Sequence, residues 1–426
     1  MSAAVAQIRD VRPQASVLVR HGEALVLLLF GLATAAIDWQ IAATWSLPLW
    51  ISLLAGAAFL ASVALVATMP PLRAFGSAAA VAVLYASPVV GGIIRWHLVP
   101  STVALIGDGA YQMQLARDVL TRGIDPYGFN YEGTGMERAP WGQAFPNPSL
   151  HHLDYWPGTV LIPLPVQAAF KWLFGWWDER VWLLAAAVAI WLLLTRLVPG
   201  TAGRMAAIAF FLIPGHSLLA VLGDNDLPML AWLLGATLAI ERRRWFMAAV
   251  LIGLAIATKQ TALIALPVLV LWAFHRGLDR RRFLQAAGVA AAVVVVLFAP
   301  FLLWNVGAFI SDTIIFNFGG GTETYPIQGL GLSTLLLNAG MIHGPRDAFP
   351  FLLIQLPLVL VALMLAWRWF NRHHNVGDAL FWTGLTLFLF LFTNRFAQQS
   401  YLLLGAELTI AGLLLRLGPS TRFLPR

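Results

Sequence analysis

Apolar run follows apolar run through most of this chain, and that succession decides the class of fold. A helix needs about 20 apolar residues to cross roughly 30 Å of hydrocarbon, and a backbone in lipid must satisfy its own hydrogen bonds. Spans are placed at 23–43, 49–69, 75–95, 181–198, 205–222, 227–241, 245–258, 261–275, 284–303, 349–367, 378–393 and 401–416. The shorter ones borrow flanking residues. The expectation is an all-α polytopic membrane protein of about twelve transmembrane helices. With 59% hydrophobic and 11% charged residues and a mean hydropathy of +0.77, no soluble catalytic domain is hidden among them.

A formal charge of +7 invites a nucleic-acid reading, but the arginines stand in short clusters between apolar runs and read as topology signals. With the N-terminus inside, 18 of the 27 Lys and Arg fall on the cytoplasmic side, among them Arg242 to Arg244 and Arg280 to Arg282. Residues 1–22 then read as a cytoplasmic tail rather than a signal peptide, and 417–426 as a second tail. The segment 156–177 is apolar enough to span, yet if it did, every later arginine cluster would face outward. It is therefore expected to be re-entrant or interfacial. The absence of cysteine excludes disulfides, thiolate metal sites and cysteine nucleophiles.

One long polar stretch interrupts the pattern, from Ile106 to Pro163 within an extracytoplasmic loop at 96–180, and chemistry is expected there. Asp108 opens a short amphipathic helix in which Tyr111, Leu115 and Val119 recur at i and i+4, so the helix should lie in the interface. The plain alternative is that Asp108 only caps that helix. Asp125 in AspProTyr reads as a turn residue.

GlyAsp after the span, ARDVLTRGIDPY, TyrTrpPro at 155–157, LeuPheGly followed by Arg180, and AlaThrLysGln at 257–260 together resemble the integral-membrane glycosyltransferases of the GT-C class. Within that class the likeness is to the polyprenol-phosphate-mannose-dependent α-mannosyltransferases of the GT87 type. It covers roughly 75–416, leaving 23–74 as an extra N-terminal helix pair. The resemblance implies a GT-C-like bundle in the plasma membrane whose large first extracytoplasmic loop carries interfacial helices and the catalytic acid. It also implies transfer of a hexose, mannose first, from a polyprenyl-phosphate donor to an envelope glycan or lipid. By motif position Asp108 matches the general base of a single inverting displacement. Lys259, a basic residue after a Thr at the end of an apolar run, matches the family's donor-phosphate contact, with snorkelling as its plain alternative; Arg395 in the last outer turn is a second candidate cation or an interface anchor, and Gln260 would hydrogen-bond sugar or phosphate oxygens.

Asp224, Asp226, Tyr155, His152, Gln398, Gln399, Tyr401 and Glu323 are the expected acceptor and sugar contacts. No cofactor is expected, although the carboxylates of these loops, Asp224-Asn225-Asp226 among them, would suit Mg²⁺ or Mn²⁺ if the loops converged. His151 and His152 point apart on an extended segment, which argues against zinc. Glu407, inside the last span, is either functional or bonded within the bundle. The expected partners are the lipid-linked donor, the acceptor and the bilayer, with no nucleic acid; the oligomeric state is not readable. The rival readings are a transporter or flippase of lipid-linked sugars, and another envelope-lipid group transferase. The first is disfavoured by few mid-span charges and no visible repeat. The second would need a His or Ser base.

Overall fold

The computed structural model describes residues 12–99, 106–139, 141, 146–318 and 323–418. Most of the two expected tails, and the glycines 319–321, lie outside those residues. In chain order the helices are α1 (Arg12–Thr44), α2 (Leu49–Thr68), α3 (Pro70–Leu98), α4 (Asp108–Thr121), α5 (Pro157–Leu161), α6 (Leu164–Phe174), α7 (Glu179–Leu197), α8 (Thr201–Leu212) and α9 (His216–Leu222). There follow α10 (Leu227–Glu241), α11 (Trp245–Thr258), α12 (Ala262–His275), α13 (Arg280–Phe318), α14 (Leu332–Asn338), α15 (Leu352–Phe370), α16 (Val376–Phe392) and α17 (Gln399–Leu415). Two short strands, β1 (Gln328–Gly329) and β2 (Phe396–Ala397), pair in parallel.

Six of these helices (α1 from His21, α2, α3, α7, α13 and α15) are long and apolar enough to cross a membrane. A seventh span arises if α8 and α9, bent by 61°, count as one. The sequence reads 205–222 as one run, but the chain breaks at Ile213-Pro214-Gly215. The residue before a proline is pushed out of the helical region, Ile213 at ψ 132°, and Gly215 follows at φ +96°. The other apolar runs form helices of 10–17 residues. At 1.5 Å per residue those fall short of about 30 Å unless flanking residues help. The segment 156–177 forms α5 and α6, broken by Pro163, and neither is long enough to cross.

Helices α16 and α17 pack backbone to backbone. A β-carbon at Gly405 would stand 2.6 Å from Phe388 Cβ, and one at Gly384 would strike the backbone at Thr409. Without a hydrophobic drive between helices in lipid, small residues supply the close contact. This crossing fixes the start of α17, which carries Gln399 and Tyr401.

The long polar segment is anchored rather than loose. Arg117 of α4, fully buried, donates to Gln167 Oε1 at 2.5 Å and Thr159 O at 2.9 Å, and pairs with Glu179 at the head of α7. Asp312, in a π-turn of α13, accepts from Gly128 N at 2.7 Å and Leu153 N at 3.1 Å. These buried charges are paired and hydrogen-bonded, as a dry interior requires. Arg117 ties α4 to α5, α6 and α7, and Asp312 holds the loop at Gly128 and Leu153 to α13.

Candidate active site

The stretch Gly107-Asp108-Gly109 locks into Gly223-Asp224-Asn225-Asp226. Gly107 N donates to Leu222 O at 2.6 Å, and a β-carbon at Gly223, which holds φ +92°, would stand 2.5 Å from Ala110 Cβ. Arg180 backs this joint, bonded to Asp178 Oδ2 at 2.6 Å and Val221 O at 2.9 Å. Glycine at 107, 109 and 223 lets two acid-bearing turns touch.

A cavity of about 380 Å³ opens beside this joint. Asp108 stands in its wall at the first turn of α4, where the helix dipole favours a carboxylate. The cap is Gly107, and Asp108 Oδ1 accepts from Gly109 N at 2.8 Å while Oδ2 accepts from Asn147 Nδ2 at 2.8 Å. Burial raises its carboxyl above the ordinary 3.8, with the Asn147 and backbone hydrogen bonds holding it partly down. Asp108 is thus a half-buried, oriented carboxylate with a raised proton affinity, which suits a base.

Lys259, just past α11, faces the same cavity. Its ammonium donates to Asn225 Oδ1 at 2.5 Å, pairs with Asp226 Oδ1 at 2.7 Å and lies 5.2 Å from the centre of the Tyr401 ring. Both members of the Lys259–Asp226 pair are buried. Asp224 lines the cavity as well. Burial, then Asp226, pushes its carboxyl up to about 7 against the pull of Lys259. Asp154 behaves alike: burial pushes it up to about 7, Lys259 pulls it down, and Asp108 and Asp312 push it up.

Tyr155, Gln398, Gln399 and Tyr401 complete the predicted residues that line the cavity. Tyr325, Trp141 and Gln328 join them. The Tyr325 hydroxyl accepts from Gln398 Nε2 at 2.6 Å and Gln328 Nε2 at 2.8 Å, which leaves its own O–H to donate elsewhere.

Four expected site residues stand off the cavity wall, and Asp226 reaches it only through Lys259. Arg395 is buried and its guanidinium is used by three carbonyls, Tyr325 O at 2.7 Å, Asp347 O at 2.5 Å and Pro345 O at 3.0 Å. That geometry clamps the Tyr325 segment instead of facing a ligand. Gln260 turns its Oε1 into the protein, where it meets no donor among the described residues. His152 bonds Asp312 Oδ1 through Nδ1 at 2.8 Å, and its Nε2 lies 3.4 Å from the exposed Glu323. Burial works against its proton, but these two carboxylates outweigh it and raise the imidazole above 6.5. Glu407 pairs with His216 Nδ1 at 2.9 Å inside the bundle.

Among the described residues, no three His, Asp or Glu side chains converge closely enough to hold a metal ion. One cavity thus brings together a carboxylate, a buried ammonium and a row of phenols and amides. Residues 155–393 match the sequence profile of glycosyltransferase family 87. This chain belongs to that family. No curated protein and no solved structure matches it.

The family 87 match makes the protein a membrane glycosyltransferase, which takes a sugar donor and an acceptor in a lipid bilayer. The matched span holds Tyr155, the Asp224–Asp226 turn, Lys259 and Tyr325. Asp108 and the Gln398–Tyr401 segment lie outside it and join the site by geometry alone. Asn147, which bonds Asp108, and the lining residues Trp141 and Gln328 are not apparent from the sequence. The available signal for Asn147 and Trp141 is their place in the same long polar stretch as Asp108.

Proposed function

We propose that this family 87 enzyme transfers a hexose, mannose first, from a polyprenyl-phosphate donor to an envelope glycan or lipid, by a single inverting displacement. The observation that carries the reading is that the Asp108 carboxylate and the Lys259 ammonium share one cavity. Asp108 takes the proton of the acceptor hydroxyl as its oxygen bonds to the anomeric carbon. The bond from that carbon to the phosphate oxygen breaks on the opposite face, and polyprenyl phosphate leaves with the electron pair. Lys259 balances the charge that develops there, aimed by Asp226 and Asn225. Asp224, Gln399 and the Tyr325 hydroxyl orient sugar and acceptor hydroxyls. Arg395 is assigned to holding Tyr325, not to the phosphate.

The chain is proposed to cross the plasma membrane twelve times, with the α8–α9 pair as one broken span and the cavity on the extracytoplasmic side. The arginine clusters then face the cytoplasm.

The test is turnover by purified protein in lipid nanodiscs supplied with synthetic polyprenyl-phosphate sugars, with product configuration read by NMR. An inverted linkage formed with EDTA present agrees with the proposal; retention, or activity lost to EDTA and restored by Mn²⁺, overturns the mechanism. Labelling from opposite sides of the membrane of single cysteines at Glu132 and Arg281, in this cysteine-free chain, is the expected outcome for topology. Labelling from the same side rejects the map.

A further inference from the structure

At the opposite end of the molecule, where the arginines gather, a second cavity of about 490 Å³ opens. Arg243, Arg244 and Arg282 line it, together with the first turn of α11, Trp245, Phe246 and Met247. Residues 241–244 and 275–282 hold seven arginines against two carboxylates. Both acids are engaged: Glu241 accepts from Trp272 Nε1 at 2.8 Å and pairs with Arg276 at 3.0 Å, while Asp279 caps α13 through Arg282 N at 2.8 Å and lies 3.4 Å from Arg282 Nε, so that it offsets one of the three lining arginines. The start of α11 has no side-chain cap, so its amide N–H groups and dipole add to the positive field. Arg243 sits at φ +55°, just after α10, where a glycine would be relaxed.

Met247 also belongs to a groove of about 340 Å³ between α7, α10 and α11. Small side chains, Ala186, Ala189 and Gly235, form its floor, and its lining is almost wholly apolar. It follows α10 from Leu238 to Pro228, about 15 Å at 1.5 Å per residue. That is the depth of one leaflet, half of roughly 30 Å. At its far end, where Trp182, Pro228 and Trp232 approach Asn225 and Thr258, the free space shrinks to about 10 Å³. A gap of that size admits about one water and no alkyl chain. The groove thus adjoins the arginine pocket at Met247, and a water-sized void lies between its far end and the catalytic cavity.

We propose that pocket and groove together hold one anionic phospholipid from the leaflet at the arginine-rich end. Its phosphate lies among Arg243, Arg244 and Arg282, and one acyl chain fills the groove. Basic pockets between membrane helices take such headgroups, and guanidinium forks match phosphate oxygens. The groove selects a lipid over a soluble anion, and its closed far end selects this lipid over the chain of the sugar donor. The proposal stands independently of the transfer mechanism.

Full-length protein, equilibrated with phosphatidylcholine vesicles doped with phosphatidylglycerol, would be extracted and its retained lipid counted by native mass spectrometry. Wild type should keep phosphatidylglycerol in preference to phosphatidylcholine. The triple variant Arg243→Gln, Arg244→Gln, Arg282→Gln should keep about tenfold less or lower still. Ala189→Phe, which fills the groove and leaves every arginine in place, should lower retention too. Equal retention of both lipids by wild type, undiminished retention in the triple variant, or displacement of the lipid by inorganic phosphate overturns the proposal; so does a silent Ala189→Phe. If the triple variant fails to fold, Arg244→Gln alone and the wild-type lipid preference decide the matter.

Discussion

The Tyr155 hydroxyl occupies the space that a β-carbon at Gly109 would fill. One missing methyl therefore sets how closely the Asp108 turn approaches the Tyr155 wall. Gly109→Ala is expected to cut turnover about 10- to 100-fold with normal expression, since a misplacement near 1 Å at the reacting centre has that cost. Adding Tyr155→Phe removes the colliding oxygen and leaves ring carbon Cζ at 3.3 Å, so the double variant should recover part of the loss. Additive losses in the double variant would show that the contact does not constrain the site.

Asp108→Asn should lower kcat by about 10²- to 10⁴-fold while donor binding holds. In wild type kcat/KM should rise with pH through an inflection above 3.8, because the base works ionised and burial raises its carboxyl. Asp154 gives the matching stability test. Its carboxyl is pushed from 3.8 to about 7 in the folded protein, so the fold binds an extra proton between those values. Its stabilising contribution is complete below pH 3.8 and is lost as pH rises through 7. Asp154→Asn should thus gain Tm over wild type on going from pH 4 to pH 8, by roughly 2–4 °C. A Tm difference that is flat across this range means Asp154 is not held protonated.

Removing Lys259 alone leaves Asp226 as an unpaired buried charge, so Lys259→Met should destabilise by about 3–5 kcal/mol. The double variant Lys259→Met, Asp226→Asn should fold nearly as well as wild type yet bind polyprenyl-phosphate donor weakly. Thermal melts read the first effect and donor titration the second. Wild-type donor affinity in the double variant would move the phosphate site elsewhere.

Arg395→Lys keeps the charge but cannot reach three carbonyls with one ammonium. A loss of about 2 kcal/mol or more is expected, with donor affinity changed little. A melt that matches wild type beside a tenfold loss of donor affinity would instead mark Arg395 as a phosphate ligand.

Asp108, Lys259, Tyr155 and Gln399 were legible because each is a polar group standing where an apolar run stops, and run ends are local facts. Arg395 shows why that reasoning has a boundary. Its place in a polar turn says that it leaves the hydrocarbon, but not that three carbonyls from 325 to 347 meet its guanidinium. Likewise the Gln398 amide on Tyr325 accompanies the pairing of β1 with β2, across about 70 positions of chain, which no local pattern encodes. Helix length was legible only with its flanks, because flanking residues look the same in sequence whether they extend a span or turn away from it.

The packing of α16 against α17 has a consequence for synthesis. Asp108 is made early, but Gln399 and Tyr401 belong to α17, and Arg395, which fixes Tyr325, lies just before that helix. The cavity is a high-contact-order structure whose loop closures come last. A chain in the act of insertion therefore carries its acid while lacking the wall that would present a donor to it. A chain inserted only as far as α15 is expected to be inert, because the part of the cavity wall that α17 carries is not yet made.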